Sequence, residues 1–167
     1  MWEVPVALPR GATELERIAD ISSLPVVDRQ QICAVAYQGR VACFDLANGS
    51  MLWSRDVSSS VGMDVDSSHV YVSDDKGSVL AFDRQTGASL WKQDKLANRR
   101  LTRPLVVGSQ VAVADFQGFV HLLDRNDGAF AGRIATDGSP VVGELRRLGD
   151  GLLVQTSKGG VFALTKH

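Results

Sequence analysis

Short apolar segments broken by Gly, Asp, Asn and Gln recur along the chain. Ile32–Tyr37 and Val41–Leu46, Val70–Ser73 and Val79–Asp83, and Val111–Ala114 and Phe119–Leu123 are rich in β-branched and aromatic residues. Segments of that length and composition, bounded by turn formers, predict strands joined as hairpins. The turns fall at Gln38-Gly39, Lys76-Gly77, Gln117-Gly118 and Lys158-Gly159, where a positive φ reverses the chain at low steric cost.

These hairpins belong to a longer repeat, Gly-x-Val-x-x-x-Asp-x-x-x-Gly. It runs from Gly39 to Asp45 and Gly49, from Gly77 to Asp83 and Gly87, and from Gly118 to Asp124 and Gly128, and it begins again at Gly159 and Val161. Successive first glycines are 38, 41 and 41 residues apart. That period matches one four-stranded propeller blade of roughly 40–45 residues. In the second turn, the Asp carboxylate accepts backbone N–H groups and the Gly supplies a left-handed residue.

Two of the repeats continue into Leu52-Trp53 and Leu90-Trp91. A four-stranded sheet cannot bury both faces alone, so neighbouring sheets stack around a centre. An indole wedged between them buries on the order of 200 Å² of mostly apolar surface, worth several kcal/mol at about 25 cal/mol per Å². The third repeat departs from this pattern, with Ala131-Gly132 where Leu-Trp is expected. That junction is predicted to be looser, or filled from elsewhere.

The predicted fold is all-β: four-stranded antiparallel propeller blades, amounting to about half of an eight-bladed ring. Trp2 reads as the docking tryptophan of an earlier repeat, so residues 1–6 are assigned to the outer strand of a preceding blade. Residues 24–57, 58–97 and 98–135 are read as full blades, and 136–167 as a last blade without its outer strand. On this reading the segment starts in mid-blade, and its open edges invite strand exchange with a second copy. Between the first strand and the first full blade, residues 7–23 form a long connection. It carries a Thr13-x-x-Glu16 capping-box pattern and a mixture of charged residues with Leu15, Ile18 and Ile21. Long ordered loops in compact domains are often functional.

Charge narrows the choice of partner. With 18 basic and 19 acidic residues the net charge is −1, which gives no positive field to hold a phosphate backbone, and nucleic acid is not expected. No apolar run approaches the roughly 20 residues of a membrane-spanning helix. The two cysteines, Cys33 and Cys43, face each other if the intervening turn is a three-residue loop and point to opposite faces if the loop is even-numbered. Both pairings stay open at this level.

Candidate chemistry is sparse. The sequence has no Gly-x-Ser-x-Gly, no His-Glu-x-x-His and no phosphate-cradling glycine loop. His69, His121 and His167 lie far apart, and Asp64, Asp66, Asp74 and Asp75 have turn spacing rather than that of an oxygen-ligand cage. Arg99-Arg100 and Arg146-Arg147 read as solvated loop charges. No cofactor, metal or enzymatic activity is expected.

The segments Val41-Ala-Cys-Phe-Asp-Leu-Ala-Asn-Gly-Ser-Met-Leu-Trp53 and Val79-Leu-Ala-Phe-Asp-Arg-Gln-Thr-Gly-Ala-Ser-Leu-Trp91 resemble the repeats of quinoprotein-like eight-bladed propellers. The stretch from Gly11 to Pro25, the run from Asn98 to Pro104 and the ending from Lys158 to Lys166 are similar to the C-terminal half of the BamB family. This second resemblance implies a non-enzymatic periplasmic scaffold of outer-membrane β-barrel assembly. Its anchor would be an N-terminal lipid and its partner the periplasmic domains of the barrel subunit BamA. It also places partner contacts in the segment matched by Arg17–Ser22, where Asp20 fits an acidic position and Ser22 replaces a second acid. Leu15, Arg17, Ile18, Asp20 and Ile21 are the candidate partner-binding residues. The wider resemblance also covers pyrroloquinoline-quinone dehydrogenases, which need a calcium ligand set not found here, and extracytoplasmic sensor propellers.

Overall fold

The computed structural model describes residues 1–6, 23–28 and 30–165. Among these, fifteen strands form four antiparallel sheets. The first contains β1 (Val26–Val27), β2 (Gln31–Val35), β3 (Arg40–Asp45) and β4 (Met51–Asp56). The second contains β5 (Met63–Val65), β6 (His69–Ser73), β7 (Val79–Asp83) and β8 (Ser89–Gln93). β9 (Leu105–Val107), β10 (Gln110–Ala114), β11 (Phe119–Asp124) and β12 (Phe130–Ala135) make the third. β13 (Arg146–Leu148), β14 (Gly151–Gln155) and β15 (Val161–Leu164) make a three-stranded fourth.

Within each sheet the strands pair in sequence order, and the first strands β1, β5, β9 and β13 neighbour one another in turn. Three apolar cores lie between successive sheets. Val35, Val41 and Trp53 meet Val70, Val72 and Phe82 in the first core. Tyr71, Val79 and Trp91 meet Val111, Val113 and Leu123 in the second, and Ala112, Ala114 and Val120 meet Leu145, Leu152 and Val154 in the third. The second and third sheets therefore bury both faces by stacking, as the propeller reading requires.

The Asp-x-x-x-Gly turn is the same object three times. In each copy the Gly N–H donates to the Asp carbonyl, from Gly49 to Asp45 at 2.9 Å, Gly87 to Asp83 at 2.8 Å and Gly128 to Asp124 at 2.9 Å. The Asp carboxylate accepts turn N–H groups, from Ala47 and Asn48, from Gln85 and Thr86, and from Asn126. A register shift follows at the same repeat position each time, after Cys43, Ala81 and Leu122.

The tryptophans dock on these turns, each reaching the next repeat along the chain. Trp53 lies on Gly87 and donates its indole N–H to the Arg84 carbonyl at 2.7 Å, and Trp91 lies on Gly128 and donates to the Arg125 carbonyl at 3.0 Å. Trp2 treats the first described sheet in the same way, lying on Gly49 and donating to Leu46 at 3.1 Å.

The sequence expectations need correcting at one end of the chain. Met1–Val6 was expected to be a strand, yet no strand is assigned before Val26 among the described residues. An outer strand is defined by the sheet it pairs with, and this segment has none beside it; Trp2 and a 2.7 Å bond from Arg40 Nε to the Val6 carbonyl hold it instead. The cysteine alternative is resolved as well. Ala36 N–H donates to the Arg40 carbonyl at 3.1 Å around a three-residue loop, Cys33 pairs directly with Cys43, and the two form a buried disulfide with a Cα–Cα distance of 4.1 Å.

Candidate protein-binding face

Because strands alternate in direction, the connections between sheets and the β2–β3, β6–β7, β10–β11 and β14–β15 turns emerge on one face. The candidate residues Leu15, Arg17, Ile18, Asp20 and Ile21, and the helical turn expected near Thr13, lie outside the described residues. The two ends that flank them are held on this face. Val6 is bound by Arg40, and Ser23 sits against Gly62, where an added Cβ would come within 2.8 Å of it. Beside Ser23, Leu24 is 69% exposed.

The face is stitched together by carboxylates. Asp75 accepts Ser58 Oγ at 2.5 Å and both the N–H and Oγ of Ser60 at 2.9 and 2.6 Å, while Ser58 Oγ in turn accepts the Gln38 N–H at 2.8 Å. These bonds tie the first sheet's turn to the second. Asp137 accepts Ser139 Oγ and Thr156 Oγ, and those bonds, with the Ser139 N–H, hold its carboxyl at about 2. Arg103 spans two junctions, donating to the Met63 carbonyl at 2.7 Å and meeting Glu144 at 3.2 Å.

Arg99 and Arg100 part company. The reading of both as solvated charges holds for Arg100 alone, which is exposed over the ring of Phe116 at 5.4 Å. Arg99 instead reaches the fully buried Asp115 at 2.8 Å and Gln117 at 2.8 Å. Arg146 and Arg147 are both exposed, and Arg147 also donates to the Val106 carbonyl. The Asn98–Arg100 loop is wound tightly, with φ of 63° at Asn98 and 50° at Arg100. Left-handed backbone at non-glycine residues is strained and persists where its surroundings over-determine it. Here the loop lies on the Gly77 turn, where a Cβ would meet the Leu96 carbonyl at 2.8 Å. Phe116, next to this loop, is 52% exposed.

Asp115 is a functional-looking group that the sequence did not reveal. One carboxylate oxygen accepts the N–H groups of Gln117 and Phe119, and the other meets His121 Nε2 at 2.8 Å as well as Arg99. Burial pushes its pKa up, and the bonds from His121, Phe119, Arg99 and Gln117 outweigh that and hold it below the usual carboxylate range. A second hub is Asp66, which accepts Ser68 and His69 N–H groups and Tyr71 Oη at 2.9 Å. Burial followed by the bond to Asp66 raises the Tyr71 phenol well above its ordinary value. The Asp64–Asp75 carboxylates thus serve turns and junctions, and among the described residues no three His, Cys, Asp or Glu side chains are grouped as a metal ion would need.

Comparison with known proteins agrees with this architecture. The family described as outer membrane protein assembly factor BamB matches residues 1–93. The BamB of Nitrosomonas eutropha is 54% identical over 98% of this chain and 40% of its own length. That of Bordetella pertussis is 44% identical over 96% of this chain and 42% of its own length. The chain thus spans well under half of these relatives. The crystal structure of BamB from Moraxella catarrhalis superposes with a TM-score of 0.88 at 32% identity, covering 95% of this chain and 47% of that one. On sequence and fold together, the chain belongs to the BamB family of outer membrane protein assembly factors.

Proposed function

We propose that this chain forms part of a non-enzymatic scaffold for outer-membrane protein assembly, at the periplasmic face of the outer membrane, in a protein tethered there by a lipid. Its partner is the set of periplasmic domains of the barrel subunit BamA. The observation that carries the reading is similarity to assembly factors along nearly the whole chain, at up to 54% identity. The loop face supports it: carboxylates and arginines brace its connections across the sheet junctions, while Leu24 and Phe116 stay exposed. An apolar centre with a charged rim is the usual anatomy of a protein interface.

On this reading Asp20 and Arg17 supply charge, and Leu15, Ile18 and Ile21 supply apolar anchors. Asp20→Lys in a full-length protein should weaken binding to the periplasmic domains in a calorimetric titration by at least about tenfold, with the circular dichroism spectrum unchanged. Equal affinity would remove this segment from the interface.

We infer further that the 167-residue chain pairs head to tail with a second copy, each supplying Met1–Val6 as the outer strand of the other's last sheet. In a longer chain the same edge is open to a preceding segment.

A further inference from the structure

A cleft of about 410 Å³ opens between the loop that follows β8 and the outer strand β12. It exists because the third repeat breaks the pattern there. Leu52 and Leu90 of the earlier repeats are replaced by Ala131, so β12 presents little bulk on this stretch. The interior is changed in the opposite sense. His121 occupies the position of Ala42 and Leu80, an ionisable ring in a place the other repeats give to apolar side chains. It is buried, ring-packed near Phe119 and Phe130, and paired to the buried Asp115 at 2.8 Å.

The lining has one sign. Lys95, Arg99 and Arg133 stand around His121, and among the described residues no carboxylate lines the cleft, although acids outnumber bases in the chain. Arg133 lies directly opposite His121 in the β11–β12 pairing and is braced over the Phe119 ring at 4.8 Å. Arg99 is fixed by Asp115 and Gln117 through one terminal nitrogen. Asp115 therefore holds two of the four nitrogen-bearing groups in place from beneath. Cations held by packing rather than swinging in solvent lose less entropy when they bind an anion.

We infer that this cleft binds the carboxylate of an acidic peptide segment whose adjacent apolar side chain lies against Phe130 and Ala131. Four consecutive residues of β12, from Phe130 to Arg133, line the cleft, and β12 is the edge strand of its sheet. A strand edge running along an apolar wall fits an extended peptide, whereas a free ion would use only the cations. The proposal uses none of the candidate residues around Asp20.

The test uses the 167-residue chain and a fluorescein-labelled peptide of alternating Glu and Phe, read by anisotropy. Controls are the same peptide with Gln for Glu and inorganic phosphate as competitor. Binding of the Glu peptide is expected, at least about tenfold tighter than the Gln peptide and weakened as salt rises from about 0.05 to about 0.5 M. Lys95→Glu with Arg133→Glu, both at exposed positions, should abolish it. Ala131→Leu, which restores the residue of the other repeats, should block the cleft while leaving the unfolding midpoint in place. Equal binding of Glu and Gln peptides, unchanged affinity in both variants, or displacement by millimolar-range phosphate as effective as by unlabelled peptide would each overturn the proposal.

Discussion

The indole of Trp91 covers Gly128 so closely that a Cβ at Gly128 would sit 2.5 Å from the ring. Its N–H is satisfied three residues upstream by the Arg125 carbonyl. The repeat's second glycine therefore answers two demands, a φ of 73° and an indole lying flat on the backbone. Its tryptophan acts on the following blade rather than its own.

Trp91→Ala should cost about 3–5 kcal/mol in urea denaturation, the usual range for deleting a buried large aromatic side chain. Gly128→Ala should also destabilise, by both the clash and the left-handed backbone. Because the clash disappears when the ring does, the two losses should fall short of additive by about 1 kcal/mol or more in a double-mutant cycle. Additive losses would mean that the ring does not rest on the glycine.

How much of this was legible beforehand varies by residue. The phase of Asp45, Asp83 and Asp124 with their glycines showed the blade, because turn chemistry and period are local properties of the chain. The target of each tryptophan was not local: Trp53 and Gly87 meet only after two sheets stack. Nothing local to Asp115 or His121 reveals their pairing, which needs the β10–β11 turn to fold one over the other, and Arg99 arrives from another connection. Met1–Val6 had the composition of a strand but no neighbouring strand to make it one.

The disulfide joins adjacent strands across a short loop, so its stabilising effect comes mainly from limiting the unfolded chain. Replacing Cys33 and Cys43 together by Ala should cost about 2–4 kcal/mol. Reducing agent should lower the denaturation midpoint of the parent chain and leave that of the double variant unchanged. The disulfide is buried, so reduction should follow unfolding rather than precede it.

Acid should weaken the junction between the second and third sheets through Asp115. Its native pKa lies below the ordinary 3.8. The unfolded chain therefore takes up this proton at a higher pH than the native one, and stability rises with pH in that window. The contribution is complete above the unfolded value and disappears as pH falls through the native one. Denaturation midpoints followed from about pH 6 to about pH 3 should show this loss, and Asp115→Asn should lower the neutral-pH midpoint and flatten the acid slope. A variant with an unaltered slope would show that other carboxylates carry the acid sensitivity.

The strand-exchanged dimer rests on two open ends that match. β15 pairs with β14 and has no strand on its other side among the described residues, and Val161 on it is 67% exposed. In the first two sheets the docking tryptophan of the outer strand stands opposite Cys43 and Ala81, and the same repeat position in β15 is Ala163. Trp2 of a second copy set opposite Ala163 places Glu3 opposite Phe162 and Val4 opposite Val161. The same Trp2 keeps its dock on Gly49 of its own chain, as each tryptophan serves the blade after its strand. Two such exchanges close a ring and leave no sheet edge, whereas an open series of them would polymerise. Light scattering should give a mass near twice 18.0 kDa. Trp2→Ala should shift the population toward monomer, because it removes the dock that holds the donated strand in place. A monomer at high protein concentration would overturn the dimer and favour Met1–Val6 closing on its own last sheet.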